Sequence, residues 1–279
     1  MLNLILERLR QGRRTLRYPR GKPPTLSPRF RGLPQLDASR CAKGCRDCIA
    51  ACPTGALAAS RATIAGSRAA EAARGPLWDL GKCLFCTDCT AACPRGAIGF
   101  SQDWRLAARR REELVLGAAG SAGFHLTPAA GAGGPPVSTG ARRFRRSFAI
   151  RQVSAGGCNA CEADCNVLST IAWDLGRFGI HFVASPRHAD ALLVTGPVTR
   201  NMRLALEKTW QAVPSPKLLI ASGACAISGG PYAGFPESGD GVARLLPVDL
   251  YVPGCPPHPL TLLDGLLRLL GRLRCQTID

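Results

Sequence analysis

The segment from Lys82 to Pro94 reads KCLFCTDCTAACP, with Cys83, Cys86 and Cys89 at three-residue intervals and Cys93, followed by proline, four residues on. This is the C-x2-C-x2-C-x3-C-P run that supplies thiolates to [4Fe-4S] cubes. Thiolates suit the task because they are soft, anionic donors to iron. Three on one tight loop hold three irons of one cube, and the fourth turns away to ligate a neighbouring cube. A zinc ribbon would bring two CxxC pairs about 15 to 20 residues apart, whereas here four cysteines fall within eleven positions. A disulfide framework needs an oxidising compartment, and the opening residues, where charges follow a short apolar run, carry no secretory signal to lead the chain there.

A related run, CAKGCRDCIAACP, offers Cys41, Cys45, Cys48 and Cys52 before Pro53. Three residues rather than two separate Cys41 from Cys45, an insertion that a bulged loop with Gly44 can absorb. The runs end alike, in CPTGAL and CPRGAI, an internal repeat that predicts pseudo-twofold packing. With the usual crossover, Cys41, Cys45, Cys48 and Cys93 bind one cluster, and Cys83, Cys86, Cys89 and Cys52 the other. The expectation is a bacterial-type dicluster ferredoxin domain over 41–116, conducting single electrons and drawing folding energy from its metal. Ser60 to Gly75, rich in alanine and arginine, joins the repeats as a hairpin or short helix.

Beyond a Gly/Ala/Pro linker at 117–140, residues 141–279 alternate strand and helix patterns: SFAIRQV, CEADCNVLSTIAWDLGRFG, HFVA, ALLVTG, a helix from Thr199 to Val213, KLLIASG, VDLYVPG and a last helix from Pro259. Such alternation implies a parallel sheet covered by helices, here of flavodoxin-like type. Cys158 and Cys161 follow the first strand, Cys225 the KLLIASG strand and Cys255 the VDLYV strand. Open α/β sheets bind ligands just beyond the carboxyl ends of their strands. Four thiolates converging there make a third [4Fe-4S] site. Two of the fourteen cysteines are then left over, Cys165 as a core thiol and Cys275 as a surface one.

The charge is lopsided. Residues 1–150 hold 25 basic against 9 acidic side chains, and the remainder 11 against 10. No helix-turn-helix, RNP or zinc-finger pattern accompanies the excess, so nucleic acid is not the expected partner; an acidic protein or lipid headgroups are. Residues 1–40 read as an amphipathic helix, with Leu2, Ile5, Leu6 and Leu9 on one face, followed by a proline-rich extended arm that wraps the rest. No apolar run reaches the ~18 residues of a membrane span. The expected location is therefore peripheral, on the cytoplasmic face of the inner membrane.

Several stretches carry a family resemblance. GGCNACE, SPRHAD, TGPVTRNM, SGACAISGG and YVPGCPP resemble the small subunit of membrane-bound, energy-converting [NiFe] hydrogenases of the formate hydrogenlyase and hydrogenase-4 kind, itself similar to the 20 kDa subunit of complex I. RYP, LSPRFRGLPQLD, WDLGKC and FSQDW, together with the paired cysteine runs, resemble the ferredoxin-like subunit of the same complexes. The resemblance covers nearly all of the chain except the linker and implies a fusion of two neighbouring subunits. It implies three [4Fe-4S] clusters, with Cys158, Cys161, Cys225 and Cys255 holding the last. It implies as partners a hydrogenase large subunit or a complex I-like 49 kDa-type subunit, membrane subunits, and an electron donor or acceptor protein. The catalytic metal would lie on the partner. Complex I places adjacent cysteines at the first pair, whereas this chain has CNAC, the spacing of the hydrogenase branch. The alternatives are a quinone-reducing wire of the complex I kind or a nickel-free relative. Glu162 matches the family's acidic position and could relay protons or tune the cluster. Arg187 and His188 could tune its potential or form the partner interface.

Overall fold

The computed structural model describes residues 2–59 except 13, 23, 38 and 43, then 75–117, and 141–273 except 142. The joining segment at 60–74, most of the 117–140 linker and Cys275 lie outside the described residues.

Helix α1 (Leu2–Gln11) leads into the arm. The two cysteine runs follow the same plan. A short strand precedes each, β1 (Pro34–Leu36) and β3 (Leu77–Asp79), a one-turn helix lies within each, α2 (Asp47–Ala50) and α3 (Asp88–Ala91), and a strand follows each, β2 (Leu57–Ala58) and β4 (Ile98–Phe100). Pairing is exchanged between repeats: β1 lies antiparallel to β4, and β2 antiparallel to β3. Each run is therefore closed by the strand of the other, and neither repeat can complete its sheet alone. A last strand, β5 (Val115–Leu116), extends the β2–β3 pair.

The second unit contains β6 (Phe148–Ser154), α4 (Ala160–Val167), β7 (Ile180–Phe182), β8 (Ala191–Thr195), α5 (Arg200–Ala212), β9 (Leu218–Ser222), α6 (Ala224–Ser228), β10 (Leu250–Val252) and α7 (Pro259–Leu269). All five strands are parallel, in the order β10-β9-β8-β6-β7. In chain order this is the flavodoxin sequence 2-1-3-4-5, whose switch point falls beside the first strand. Every residue of β8 and β9 is buried, because helices cover both faces of a parallel sheet and its central strands are nearly continuous apolar runs, closed here by Thr195 and Ser222. The helical pattern expected to run from Cys161 to Gly179 is interrupted. Helix α4 ends at Val167, where the Thr170 hydroxyl donates to the Val167 carbonyl at 2.7 Å, and only a 3-10 turn at Leu175–Phe178 follows. Thr170 here gives the backbone a local alternative to the helical ladder.

The two units share one hydrophobic core, which runs from Leu33, Trp78 and Leu114 to Val153, Leu192 and Tyr251. Ala108 and Tyr251 exchange backbone hydrogen bonds at 2.8 and 2.9 Å, so the segment after β4 pairs with the sheet edge. The arm crosses the other way. Arg177 donates to the carbonyls of Leu16 and Tyr18 at 2.7 and 2.9 Å, and the Tyr18 hydroxyl donates to Asp264, a buried carboxylate of α7 that also pairs with Arg268.

Candidate iron-sulfur centres

Cys41, Cys45, Cys48 and Cys93 line one pocket, closed by Leu36 and Ile98 of the β1–β4 pair. Cys52, Cys83, Cys86 and Cys89 line another, against Trp78 and Phe100. The structure thus groups the cysteines with the fourth of each run exchanged. The long spacing after Cys41 is absorbed at Gly44, which takes φ +81°, matching Phe85 at φ +55° in the shorter run; each residue directly precedes the second cysteine.

The two pockets offer different surroundings. The Ala56 and Ala97 N–H groups donate to Cys52 and Cys93 Sγ, both at 3.2 Å, in equivalent places of the repeat. The pocket of Cys83 receives more: Phe85 N–H donates to Cys83 at 3.3 Å, the Trp78 indole also reaches Cys83, and the Thr90 side chain reaches Cys89. Burial pushes the Cys83 thiol up to about 12, and the Cys48 and Cys89 thiols up to about 11. Iron must therefore displace protons to bind these sulfurs.

Behind Cys83, Asp79 is almost wholly buried and paired with Arg111 at 2.6 Å, while its other oxygen accepts from Gly81 N–H at 2.9 Å. The Gly81 carbonyl accepts from the Ser228 hydroxyl at 2.9 Å, which ties the loop to α6 of the sheet unit. These contacts have no motif of their own in the sequence.

The third group forms beyond the carboxyl ends of the strands. Cys158 follows β6, Cys161 lies in the first turn of α4, Cys225 lies in α6 after β9, and Cys255 lies three residues past β10. They converge closely enough to act on one another: burial raises Cys161, helped by Glu162, Cys225 and Cys255, and burial with Cys255 and Cys158 takes Cys225 to about 11. The backbone is pressed against the sulfurs. A Cβ at Gly223 would sit 2.6 Å from Cys161 Sγ, and one at Gly230 would sit 2.9 Å from Cys225 Sγ. This cradle of bare backbone fits a bulky metal group whose ligands arrive from three loops. Cys158 and Cys255 are exposed, so the group opens to the surface.

Glu162 is buried beside Cys161, and the Thr195 hydroxyl donates to its carboxylate at 2.6 Å. Thr195 is the last residue of β8 and escaped the sequence reading, since nothing in TGPV marks its hydroxyl as the partner of Glu162. Arg187 and His188 are different. Both are exposed on a 3-10 turn that precedes β8, at the opposite end of that strand from Thr195 and the cysteines. A five-residue strand spans about 16 Å, so the strand separates the turn that carries these two residues from the cysteine group. Cys165 is fully buried, in the hydrophobic cluster that holds Ile150 and Leu168.

Comparison with known proteins agrees with this layout. Residues 40–98 match the 4Fe-4S dicluster domain, and residues 158–269 match the NADH ubiquinone oxidoreductase, 20 Kd subunit, family. A probable membrane-bound hydrogenase subunit of Pyrococcus furiosus is 41% identical over 128 residues, covering 46% of this chain and 77% of that protein. The chain belongs to the 20 Kd subunit family. Other relatives in and around this 20 Kd family include formate hydrogenlyase subunit 7 of Escherichia coli, 44% identical over 132 residues, or 47% of this chain. That match spans 52% of the Escherichia coli protein, about half its length. An NADH-quinone oxidoreductase subunit of Heliobacterium modesticaldum is 39% identical over 121 residues, covering 43% of this chain and 69% of the relative. This member of the 20 Kd family thus carries a dicluster domain on the same polypeptide, and the relatives named here are subunits of a hydrogenlyase, a probable membrane-bound hydrogenase and an NADH-quinone oxidoreductase. Among the described residues no helix is long and apolar enough to cross a membrane.

Proposed function

We propose that the chain is the electron wire of a membrane-associated, energy-converting hydrogenase-like complex, with twelve cysteines holding three [4Fe-4S] clusters. When bound, such clusters take up and release one electron each without making bonds. The observation that carries the reading is the continuity of sulfurs across the groups. Cys48 of the first pocket lies within electrostatic reach of Cys89 of the second, and Cys86 of the second within reach of Cys255 of the third. Cys41, Cys45, Cys48 and Cys93 would hold the outermost cluster, Cys52, Cys83, Cys86 and Cys89 the middle one, and Cys158, Cys161, Cys225 and Cys255 the last.

The exposed Cys158 and Cys255 mark where a partner subunit would cover the last centre and carry the reaction. Glu162, held by Thr195, keeps its carboxyl group beside Cys161 and Cys225 and would shape the surroundings of the last centre. The basic helix α1 leaves Leu4, Ile5, Leu6 and Leu9 exposed; with Arg8 and Arg10 it suits an anionic membrane surface. The likeness to an NADH-quinone oxidoreductase subunit favours a second reading, in which the same wire ends at a quinone.

Anaerobically purified protein should contain about twelve irons, at four per cube, with three EPR-resolvable centres on reduction. Four irons or fewer after reconstitution would reject the wire. Nickel in the intact complex, with hydrogen uptake into a viologen dye, supports the hydrogenase reading; a nickel-free complex that reduces quinone supports the second.

A further inference from the structure

Arg31 ties the amino-terminal arm to the second cysteine run. Its guanidinium donates to the Phe85 carbonyl at 2.6 Å, a short, charge-assisted contact. The residues on either side of Arg31 fix where it reaches. Phe30 packs edge-on against the His258 ring, with centroids 4.9 Å apart, and Gly32 N–H donates to the Ser101 carbonyl at 2.9 Å. A Cβ on Gly32 would collide with the Asp103 carbonyl oxygen, so only glycine lets the arm approach this closely. Phe85 is held in an uncommon conformation. It carries a side chain at φ +55°, whereas Gly44, at the equivalent place in the first run, takes φ +81° without steric cost. Phe85 N–H donates to Cys83 Sγ at 3.3 Å, and the Phe85 carbonyl belongs to the peptide of Cys86. That peptide is trans, so drawing on its carbonyl polarises a Cys86 N–H that points the opposite way, into the loop.

Arg31, Phe85 and Cys255 border one cavity, together with Arg29, Asp164 and His258. Cys86, the next residue after Phe85, is the sulfur of the second group within electrostatic reach of Cys255. No described carboxylate forms an ion pair with Arg31. We propose that Arg31 is a positioning residue for electron transfer, which holds the loop of Cys83 and Cys86 and sets a positive charge where the second group faces the third, making the second centre easier to reduce. The inference rests on the relay reading above and deepens it: an electron would find a low point midway along the wire, beside the junction with the last centre. A cation stabilises the reduced, more anionic form, and hydrogen bonding within the loop acts in the same direction. One electron still passes from centre to centre, and no bond is made or broken.

The test is an EPR-monitored redox titration of the reconstituted full chain, with the second centre assigned as the signal that Cys86→Ser alters or removes. A unit charge acting over about 10 Å at an effective dielectric of about 20 changes the ratio of reduced to oxidised centre by about tenfold, and exposure to water weakens it. Arg31 is exposed beyond its contact with Phe85. Arg31→Gln should therefore lower that ratio about three- to tenfold at a given potential, a shift of about 30–60 mV for one electron, with iron content and the midpoint of the outer centre unchanged. Arg31→Lys should restore most of the shift. Arg29→Gln removes a charge from the same cavity but no hydrogen bond to the loop, and should move the midpoint by under half as much. An unchanged midpoint in Arg31→Gln, an equal fall in Arg31→Lys, or an equal fall in Arg29→Gln overturns the proposal. If Arg31→Gln does not load the second centre, Arg31→Met repeats the measurement; loss of that centre from both variants makes Arg31 a clamp alone, which also overturns it. A wild-type chain with no reducible second or third centre faults the relay instead.

Discussion

Gly223→Ala should empty the third centre and leave the other two intact. The glycine has φ +94°, and a Cβ there would stand 2.6 Å from Cys161 Sγ. With ψ 156° the residue lies in an extended, positive-φ region that is essentially reserved for glycine and costs another residue about 1–3 kcal/mol, and forcing a methyl into packed surroundings costs a further 1–3 kcal/mol or so. Relief would come from moving Cys161, which is the sulfur the centre needs. The combined penalty of about 2–6 kcal/mol corresponds to a roughly 30-fold to 20,000-fold weaker hold on iron, at tenfold per 1.4 kcal/mol. Gly44→Ala is the matched control, because φ is +81° but nothing lies within 4 Å of its Cβ position; it carries the backbone strain without the clash. Iron should fall from about twelve to about eight per chain in Gly223→Ala, with one EPR centre lost, while Gly44→Ala keeps about twelve. Full iron and an unchanged spectrum in Gly223→Ala would refute the argument that bare backbone at this position makes room for the metal group.

Other outcomes are as specific. Arg111→Ala strands the buried Asp79 carboxylate; breaking a buried pair costs about 3–5 kcal/mol, and because Arg111 is partly exposed the loss in urea midpoint should fall at the low end, with Arg111→Lys recovering part of it. Burial lowers the pKa of His258, whose Nδ1 accepts from Leu260 N–H at 3.2 Å between the rings of Phe30 and Trp173, with Asp164 and Arg29 in the same cavity. The unfolded chain then binds the proton more readily, so stability present above the usual histidine pKa of about 6.5 is lost as pH falls through it, by at most about 1.4 kcal/mol per pH unit for one proton. His258→Asn, which keeps an N-cap acceptor, should flatten the pH 5 to 7 slope of the denaturation midpoint, and an unchanged slope would assign it to other groups. Leu4→Glu with Leu9→Glu should abolish co-flotation with vesicles of anionic phospholipid while leaving iron content at the wild-type level.

The chemistry was far more legible in the sequence than its setting. Cysteine spacing survives any packing, because three ligands on one loop must keep their intervals, so both runs could be read directly. The β8 and β9 strands were also legible, since a strand buried on both faces reads as a nearly continuous apolar run. Sheet order was legible only through the flavodoxin-like expectation, because parallel strands joined by crossovers leave no mark of their neighbours in the chain. Arg187 and His188 were candidates through the SPRHAD stretch of the resemblance; only the direction of β8 shows that they stand at the end of that strand away from Thr195. Asp79 and Arg111, 32 positions apart, reveal nothing until the fold brings them together. The early end of α4 was hidden for a related reason: the apolar pattern continues past Val167 while a threonine hydroxyl competes for the backbone.

The crossing of the arm has a consequence for how such a chain could have arisen. Residues near the amino terminus are clasped by Arg177 and Asp264, and the stretch after β4 is zipped to the outermost strand at Tyr251. Two separate polypeptides cut between positions 117 and 141 would already grip each other at both ends. Joining them covalently would secure equal numbers of each half without requiring a new interface, so a protease nick in that interval should leave a particle that still migrates as one.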